Sequence, residues 1–507
     1  MQGATAGSPI RTMTSVVSVV IALIALALSG CGGLATGGAS THTATRPLQP
    51  RLYVTTTYRQ TTPPPSADAL PVTRLASLDP GDGSIRWQTP GYSMIPFLQA
   101  RSGAAGDTVY LTSDTLSKPK TPNDYPVASG YLRAMRSSDG HILWKAQVGM
   151  LTSAPVATDD AVYASAIVSS GQGKTATRGK WLYALRATDG GQRWKIELSG
   201  NDGITDDITL VNGVLYGTSN ELCFDSCRAA FLFAVRASDG KLLWNASIPG
   251  NLNISTAEID HGVLFVAVPS FDTSYGETRE IAAYDMASGA ALWNRNTSIQ
   301  GYNGAAAPLF VAANGLIYTP LANPVASDPF RPDHWSYSLA ALDGHTGALK
   351  WQKTTSLFPT IVAHDAQSLY VQTQTATAAG SEASRSLAAY TLADGSRHWQ
   401  VDVNLNLEMI TLQDGALYGL TLDMNAPTKR QIEARSASTG ALLWRTSTLA
   451  LSTASNFFPT SRSTAFLNGA LYMALSADSV VALRPADGHV LWSKTFDGQI
   501  VGLQAVS

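Results

Sequence analysis

The sequence predicts an all-β protein, a β-propeller with nine repeat units, and three observations support this fold class. Nine of the eleven tryptophans lie four residues after a glycine. Those glycines recur every 45 to 58 residues, a period typical of propeller blades and too long for ankyrin or leucine-rich repeats. Charged residues make up only 14% of the chain while glycine occurs 43 times, a composition that favours short strands joined by many turns.

Each repeat combines an alanine, a glycine and a tryptophan at fixed spacing. The glycines are Gly83, Gly140, Gly190, Gly240, Gly289, Gly347, Gly395, Gly440 and Gly488. The tryptophans are Trp87, Trp144, Trp194, Trp244, Trp293, Trp351, Trp399, Trp444 and Trp492. Six residues before the glycine, eight copies have an alanine: Ala134, Ala184, Ala234, Ala283, Ala341, Ala389, Ala434 and Ala482. The first copy has Ser77 at this position.

The spacing predicts four strands in each unit. Residues 183–186 and 192–194 illustrate a hairpin whose turn contains Gly190. Asp-Gly occupies this turn in six copies and Ser-Gly or Thr-Gly in three, because the reversing chain needs a residue that tolerates positive φ. A run with an aromatic residue, such as 213–216, predicts a second strand before each hairpin. A weaker segment ahead of that run, such as 153–156, completes a four-stranded blade.

The two ends of the repeat region predict how the ring closes. The first unit lacks the leading strand, and the tail 499–503 resembles that strand alone. We therefore expect the C-terminal strand to complete the first blade, which removes the exposed sheet edges of an open array. The ring then has nine blades, or eight if one unit is irregular. The first unit, with Ser77 and the Thr- and Pro-rich stretch 61–65, departs most from the pattern.

The repeated tryptophans are predicted to be structural. A buried indole removes about 150–250 Å² from water, which at roughly 25 cal/mol per Å² amounts to several kcal/mol before entropy is subtracted. Each is expected on the outermost strand, docked against the neighbouring blade where a small alanine and a bare glycine leave room.

The N-terminal region predicts export and lipid attachment. An apolar stretch, 16–28, follows Arg11 and is too short for a comfortable membrane span. It ends in Leu28-Ser29-Gly30-Cys31, which resembles a bacterial lipobox. The sequence therefore predicts a signal peptide over 1–30, a lipid on Cys31, a flexible tether over 31–50 and a propeller over 51–507.

The two remaining cysteines and the charge balance narrow the chemistry. Cys223 and Cys227 flank three residues in a short segment, and an exported protein lies where disulfides persist, so we expect a bridge if the Cα atoms come within about 7 Å. Lys plus Arg number 35 against 37 Asp plus Glu, a net charge of −2, which disfavours a nucleic-acid partner.

The repeat resembles the tryptophan-docking motif of pyrroloquinoline quinone (PQQ)-type β-propellers, in nine places across 51–507. This resemblance implies a family that usually closes at eight blades. It includes quinoprotein alcohol dehydrogenases and, with a lipobox such as that ending at Cys31, the propeller lipoprotein of the outer-membrane β-barrel assembly machinery. The dehydrogenases use adjacent disulfide-bonded cysteines and a calcium site, and no adjacent cysteines occur here.

We therefore assign no catalytic residue, no metal and no cofactor; PQQ and calcium belong only to the alternative of a PQQ-dependent dehydrogenase. The connections before the alanine strands vary, with long insertions around 113–130, 168–181 and 319–337. Insertions on one face often mark a binding side. Aromatic and basic residues of the connections before the alanine strands form the predicted partner face: Tyr125, Lys180, Tyr275, Arg331, Trp335 and Tyr337.

These observations favour a membrane-anchored, extracytoplasmic scaffold of the bacterial envelope that binds an envelope protein or a cell-wall component without catalysis. Two alternatives stay open, the dehydrogenase and an outer-membrane protein assembly factor. Variable surface loops without any partner would produce the same pattern of insertions.

Overall fold

The repeat region folds as a nine-bladed β-propeller in the computed structural model. The structure describes residues 50–58, 72–93, 102–105, 107–116, 128–152, 154–170, 177–198, 208–220, 229–249, 256–272, 276–297, 310–324, 335–355, 358–374, 385–403, 406–422, 429–447, 449–450, 464–476 and 478–506. The predicted signal peptide, Cys31, most of the tether, Cys223 and Cys227 lie outside these residues.

The strands follow one another with the regularity of the repeat. The first thirteen are β1 (Arg51–Tyr58), β2 (Val72–Leu78), β3 (Ile85–Gln88), β4 (Tyr92–Ser93), β5 (Ser102–Ala105), β6 (Thr108–Leu116), β7 (Ala128–Arg136), β8 (Ile142–Gln147), β9 (Met150–Leu151), β10 (Val156–Ala157), β11 (Ala161–Ser170), β12 (Thr177–Arg186) and β13 (Gln192–Leu198). The next twelve are β14 (Ile208–Val211), β15 (Val214–Asn220), β16 (Ala229–Arg236), β17 (Leu242–Pro249), β18 (Thr256–Asp260), β19 (Val263–Asp272), β20 (Gly276–Asp285), β21 (Ala291–Asn296), β22 (Val311–Ala313), β23 (Leu316–Pro324), β24 (Trp335–Asp343) and β25 (Leu349–Thr355). The last fourteen are β26 (Phe358–His364), β27 (Ser368–Gln374), β28 (Arg385–Thr391), β29 (Arg397–Asp402), β30 (Asn406–Gln413), β31 (Ala416–Leu422), β32 (Lys429–Ser436), β33 (Leu442–Arg445), β34 (Leu449–Ala450), β35 (Thr464–Leu467), β36 (Ala470–Ala474), β37 (Ser479–Leu483), β38 (Val490–Thr495) and β39 (Gln499–Val506).

Every blade is built on a four-stranded antiparallel sheet, and in blades 2 to 9 the four strands pair in sequence order. Blade 2 is β5–β8, blade 3 is β10–β13, and blades 4 to 9 follow in the same way up to β35–β38. Three short strands also pair with these sheets. β4 pairs with β2 of blade 1, β9 pairs with β11 of blade 3, and β34 pairs with β32 of blade 8. Nine blades are confirmed, and the first unit is a regular blade rather than an irregular remnant.

The C-terminal strand closes the ring as the sequence predicts. β39 pairs with β1 in antiparallel register, with Leu503 opposite Val54 and Val506 opposite Arg51. Blade 1 is therefore built from both ends of the repeat region, in the order β39, β1, β2, β3.

The hydrophobic core lies between the blades. Buried apolar side chains form nine clusters, each drawn from two adjacent blades. In β1, for example, Leu52 packs towards blade 9 while its neighbour Tyr53 packs towards blade 2. Because alternate residues of a strand point to opposite faces, each blade contributes to two clusters.

The two faces of the ring differ in the connections that they carry. Short turns join strands three and four of every blade, and strands one and two of blades 2 to 9, as Asn212-Gly213 does with φ of 49° and 76°. The opposite face carries the connections between strands two and three, which range from 273–275 to 59–71, and those between blades. We call this opposite side the long-connection face. The predicted clustering of insertions on one face therefore follows from the strand order.

Candidate functional site

The repeated tryptophans form the same contact at all nine blade interfaces. Each indole lies against the turn glycine of the next blade, where an added Cβ would come within 2.3–2.8 Å of a ring atom. Each indole N–H also donates to the carbonyl three residues before that glycine, across 2.7–3.0 Å. Those glycines have φ of 67–73°, a conformation that side chains disfavour.

The alanine of the repeat has a different role from the one expected. We expected it on the neighbouring blade, but it pairs with the tryptophan of its own blade, as Ala234 does with Trp244. On its other side it pairs with an aromatic residue of the second strand, here Tyr216. The small side chain lets the two rings meet across it, with centroids 5.8–6.2 Å apart in all nine blades.

The predicted partner-face residues are only partly placed by the structure. Tyr125, Tyr275 and Arg331 lie outside the described residues, and Trp335 begins β24 with its side chain outside the described part. Tyr337 is half-buried in β24, and its ring meets Phe358 of blade 7 edge-on at 5.8 Å. It therefore lies within an interface rather than in a free loop.

The prediction that Lys180 belongs to an accessible partner face is wrong. It lies in β12, is fully buried, and its Nζ donates to the Ser219 hydroxyl of blade 4 across 2.7 Å. The strands extend further towards the long-connection face than the sequence pattern indicated, so the insertions around 113–130, 168–181 and 319–337 shrink to 117–127, 171–176 and 325–334. Lys180 thus links two blades and is not accessible to a partner.

Two groups of cations and aromatic rings were missed by sequence reasoning. Tyr92, Tyr131, Arg133 and Lys145 meet between blades 1 and 2, whereas Trp181 and Lys195 meet between blades 2 and 3. The Arg133 guanidinium lies 4.1 Å from the Tyr92 ring centroid and 5.6 Å from that of Tyr131. Lys145 Nζ lies 3.6 Å from the Tyr131 centroid, and Lys195 Nζ lies 4.8 Å from that of Trp181.

The sheet register places the two groups on opposite sides of blade 2. Arg133 on β7 is directly opposite Lys145 on β8, while Ala146, the next residue of β8, packs into the apolar cluster that Trp181 contacts. Tyr92 on β4 is held beside blade 2 by its pairing with Thr73. Arg133 is buried, and this desolvation lowers its pKa, whereas Lys145 is exposed.

Blade 8 shows the same two positions with opposite charges. Arg133 and Glu433 each precede the repeat alanine, and Lys145 and Arg445 each follow the repeat tryptophan. Glu433 Oε2 lies 2.6 Å from Arg445 Nη2, and its Oε1 accepts from Arg435 Nε across 2.6 Å. The signal that sequence reasoning could have used is therefore this pair of repeat positions, which carries two cations only in blade 2.

One more carboxylate pair bridges blades. Glu258 Oε2 accepts from the Ala312 amide, and Asp260 Oδ2 accepts from the Gly315 amide, both across 2.6 Å. Desolvation raises the pKa of Glu258 to about 7, against the lowering effect of the Ala312 amide and with a smaller contribution from the Asp260 charge. Among the described residues, no group of three or more His, Cys, Asp or Glu side chains could hold a metal ion.

No helix within the described part of the chain is long and apolar enough to cross a membrane. No curated protein is similar enough in sequence to count as a match. Solved structures with a similar fold include BamB from Moraxella catarrhalis, 13% identical, with a TM-score of 0.36 and coverage of 77% of this chain and 96% of that one. Others are quinohemoprotein alcohol dehydrogenases from Pseudomonas putida HK5 (12% identity, TM-score 0.37, 77% and 74% covered) and Comamonas testosteroni (13%, 0.40, 86% and 72%).

The family comparison agrees with the resemblance seen in the repeat. A family model described as outer membrane protein assembly factor BamB matches residues 178–401 and 337–502. These two overlapping matches cover more than half of the chain, which therefore belongs to this family of PQQ-like β-propellers.

Proposed function

We propose that the protein is a lipid-anchored, extracytoplasmic scaffold that binds an envelope protein or a cell-wall component through its long-connection face and catalyses no reaction. The observation that carries this proposal is the asymmetry of the ring. All nine blades use short turns on one side, whereas on the other side the connections between strands two and three vary from three residues (273–275) to thirteen (59–71). Variable loops on a rigid scaffold are the usual location of binding residues.

The family description supports a protein partner in particular. The matched model is named for an assembly factor of outer membrane proteins. In a cell with an outer membrane, a partner in that assembly machinery is the specific form of this proposal. The lipobox ending at Cys31 supports attachment to a membrane, where such a partner would lie.

The dehydrogenase alternative lacks a fitting set of residues in the part of the chain that is described. Calcium sites are usually built around carboxylates, and no group of three or more His, Cys, Asp or Glu side chains is present there. The three cysteines, at 31, 223 and 227, include no adjacent pair. We therefore derive no catalytic step through PQQ or calcium.

The binding proposal is tested by shortening connections. One variant carries short Gly-Ser linkers in place of both 117–127 and 171–176. The partners that cross-link to each protein in whole cells are then quantified by mass spectrometry. The matched control replaces 375–384, on the same face at blade 7. We expect at least one partner to be lost from the first variant and retained by the control, with unchanged melting temperatures. Equal recovery of the same partners from all three proteins would contradict the proposal.

The anchoring proposal has its own test. Cells are grown with a radiolabelled fatty acid, and wild type is compared with Cys31→Ala. Label on the wild type alone, together with release of the variant from the membrane fraction, is the expected result. Equal labelling of both proteins, or of neither, would rule out a lipid on Cys31.

A further inference from the structure

The outermost strands of four consecutive blades carry exposed apolar side chains. We call this set the apolar arc, and its members are Leu442 and Leu443 in blade 8, Leu491 in blade 9, Ile85 in blade 1, and Ile142 and Leu143 in blade 2. These residues are 41–55% exposed and lie two or three positions after the turn glycine. Blades 3 and 7 have Gln192-Arg193 and Arg397-His398 at the same positions, so the repeat itself does not require apolar residues there.

The apolar arc lies where the N-terminal region joins the ring, on the side of the short turns. Ile85 is paired with Leu78 of β2, and Leu78 is paired with Leu52 of β1. Neighbouring strands are about 4.8 Å apart, so Ile85 lies roughly 10 Å from Leu52. Because β1 begins at Arg51, the chain enters the ring beside the turn of blade 1. The arc extends to both sides of this entry point.

The predicted lipid is close to this entry point along the chain. Twenty residues separate Cys31 from Arg51, and a flexible chain of that length spans roughly 25 Å. A lipid on Cys31 would therefore keep the start of β1 near the bilayer surface. A short link of this kind raises the effective concentration of the arc at that surface. Apolar side chains that bind a bilayer weakly on their own can then remain inserted at its interface.

The turns beside the arc carry little net charge. In blades 1, 2 and 9 an arginine is paired with an aspartate at the turn, in the ion pairs Arg86–Asp79, Arg136–Asp139 and Arg484–Asp487. The turn of blade 8, residues 437–441, contains no charged residue. The exception is Asp82, whose carboxylate accepts from the Ser84 amide. Anionic headgroups repel unpaired carboxylates, so the paired charges leave the approach to a bilayer nearly neutral.

The form of the arc suits a fluid surface better than a protein partner. Its apolar side chains are spread over four blades, with polar residues such as Ser84 and Arg86 between them. The turns on this side are short, whereas the variable connections lie on the long-connection face. A protein partner needs complementary packing, but acyl chains adapt to separate apolar side chains that enter the interface.

We propose that the apolar arc rests on the bilayer that holds the lipid. Blades 8, 9, 1 and 2 then contact the membrane at their short-turn side, and the long-connection face points away from it. This inference rests on the proposed lipid-anchored scaffold and adds the orientation of the anchored ring. A ring held in this way presents its variable connections to a partner beyond the membrane surface.

The test maps contact with acyl chains. The lipidated protein is reconstituted into vesicles of phosphatidylethanolamine and phosphatidylglycerol that contain a phospholipid with a diazirine in one acyl chain. After irradiation, the cross-linked peptides are identified by mass spectrometry. We expect label on β3, β8, β33 and β38, and no label on β13 and β29, the corresponding strands of blades 3 and 7.

Two matched double variants show whether the arc itself makes the contact. Leu442→Gln/Leu443→Gln should lower the label on β38 and β3 about tenfold, the partition effect of roughly one buried leucine. Leu242→Gln/Leu243→Gln changes the same two repeat positions in blade 4, where the leucines are 44% and 40% exposed, and should be labelled like wild type. Melting temperatures of both variants should match that of wild type, since the substituted leucines are on the surface.

Four outcomes would overturn the inference. Two are label spread evenly over the outermost strands of all nine blades, and equal label in the two double variants. A third is an unlabelled arc in a protein that sediments as a dimer from detergent, which would assign the arc to contact between two copies of the chain. The fourth is a protein without lipid that does not stay on the vesicles, which would reject the anchor together with the orientation. A lipidated protein whose arc is unlabelled would reject the orientation alone.

Discussion

The indole N–H of Trp492 donates to the carbonyl of Pro80 across 3.0 Å and joins the last blade to the first, 412 residues apart in sequence. The ring of Trp492 also lies against Gly83, with a hypothetical Cβ only 2.7 Å from Cε3. The closing interface thus has the same contact as the eight interfaces between consecutive blades.

Trp492→Ala should therefore destabilise the protein by about 3–5 kcal/mol, the usual range for removing a large aromatic side chain from a core. Thermal melting followed by circular dichroism would measure the loss. Trp244→Ala, at an interface within the chain, should cause a similar loss, because both side chains are 9% exposed. If Trp492→Ala melts at the same temperature as wild type, this tryptophan does not dock the last blade against the first.

Gly83→Ala and Gly213→Ala separate two effects of a turn glycine. Both have positive φ, 71° and 76°. Gly83 has the indole against it, whereas nothing lies within 4 Å of a Cβ at Gly213. Both variants should be less stable than wild type, because alanine disfavours positive φ. Gly83→Ala should lower the free energy of unfolding by about 1–3 kcal/mol more, because its methyl group would overpack against the indole. Equal melting temperatures would argue against a tight contact.

Ser77→Ala should stabilise the protein by about 1 kcal/mol. Ser77 replaces the repeat alanine in blade 1, is fully buried, and has no hydrogen-bond partner for its hydroxyl among the described residues. A buried hydroxyl without a partner is unfavourable by about 1–3 kcal/mol. The reverse change at the matching position of blade 9, Ala482→Ser, should lower the melting temperature. A drop for Ser77→Ala would indicate a hydrogen bond to the serine.

Glu258 should make stability depend on pH. Its pKa is raised to about 7 by burial, so the folded state holds the proton more tightly than the unfolded state. The stability that this proton provides is fully present below about pH 4.5 and is lost as the pH rises towards 7. Glu258→Gln can still accept from Ala312 and should melt higher than wild type at pH 8, with a smaller difference at pH 4.5. Parallel pH profiles would contradict this assignment.

Glu433→Gln should destabilise the protein by about 3–5 kcal/mol, because it leaves the mostly buried Arg435 without its charge partner. Glu433 is 2% exposed, and its carboxylate binds two guanidinium groups. Arg445→Gln should have a smaller effect, since the Arg445 side chain is 36% exposed and Glu433 retains its ion pair with Arg435. Chemical denaturation of both variants would measure the difference, and an equal loss would show that Arg445 matters as much as Glu433.

The repeat predicted most of the fold because each of its residues has a local physical role. Gly83 must adopt positive φ, and Trp492 must find a flat space, so their spacing along the chain reveals the hairpin and the blade. The tail 499–503 predicted closure because a strand without a hairpin needs a partner. The predicted position of the repeat alanine was wrong. Spacing along the chain does not show whether a residue packs against a strand of its own blade or against the neighbouring blade.

The candidate site was harder to predict because it depends on register. Lys180 looked like a loop residue, since its burial follows from an extended β12 and from Ser219 of the next blade. Arg133 and Lys145 are twelve residues apart, and only the bulge after Ala134 sets them opposite each other. Cations that face aromatic rings across strands leave no periodic pattern in a single sequence.

Closure through β39 also decides how the protein can come apart. An open array of repeats has two terminal units that meet only one neighbour, and these can fray independently. In this ring every blade has two neighbours, and the blade built from both ends of the repeat region is continuous only when β39 is in place. Pulling out that one strand would leave β1 as an edge and would remove Ile500 and Leu503 from the apolar cluster between blades 9 and 1, so that this interface would be the weakest of the nine. We therefore expect unfolding to begin at blade 1 and to be cooperative across the whole ring.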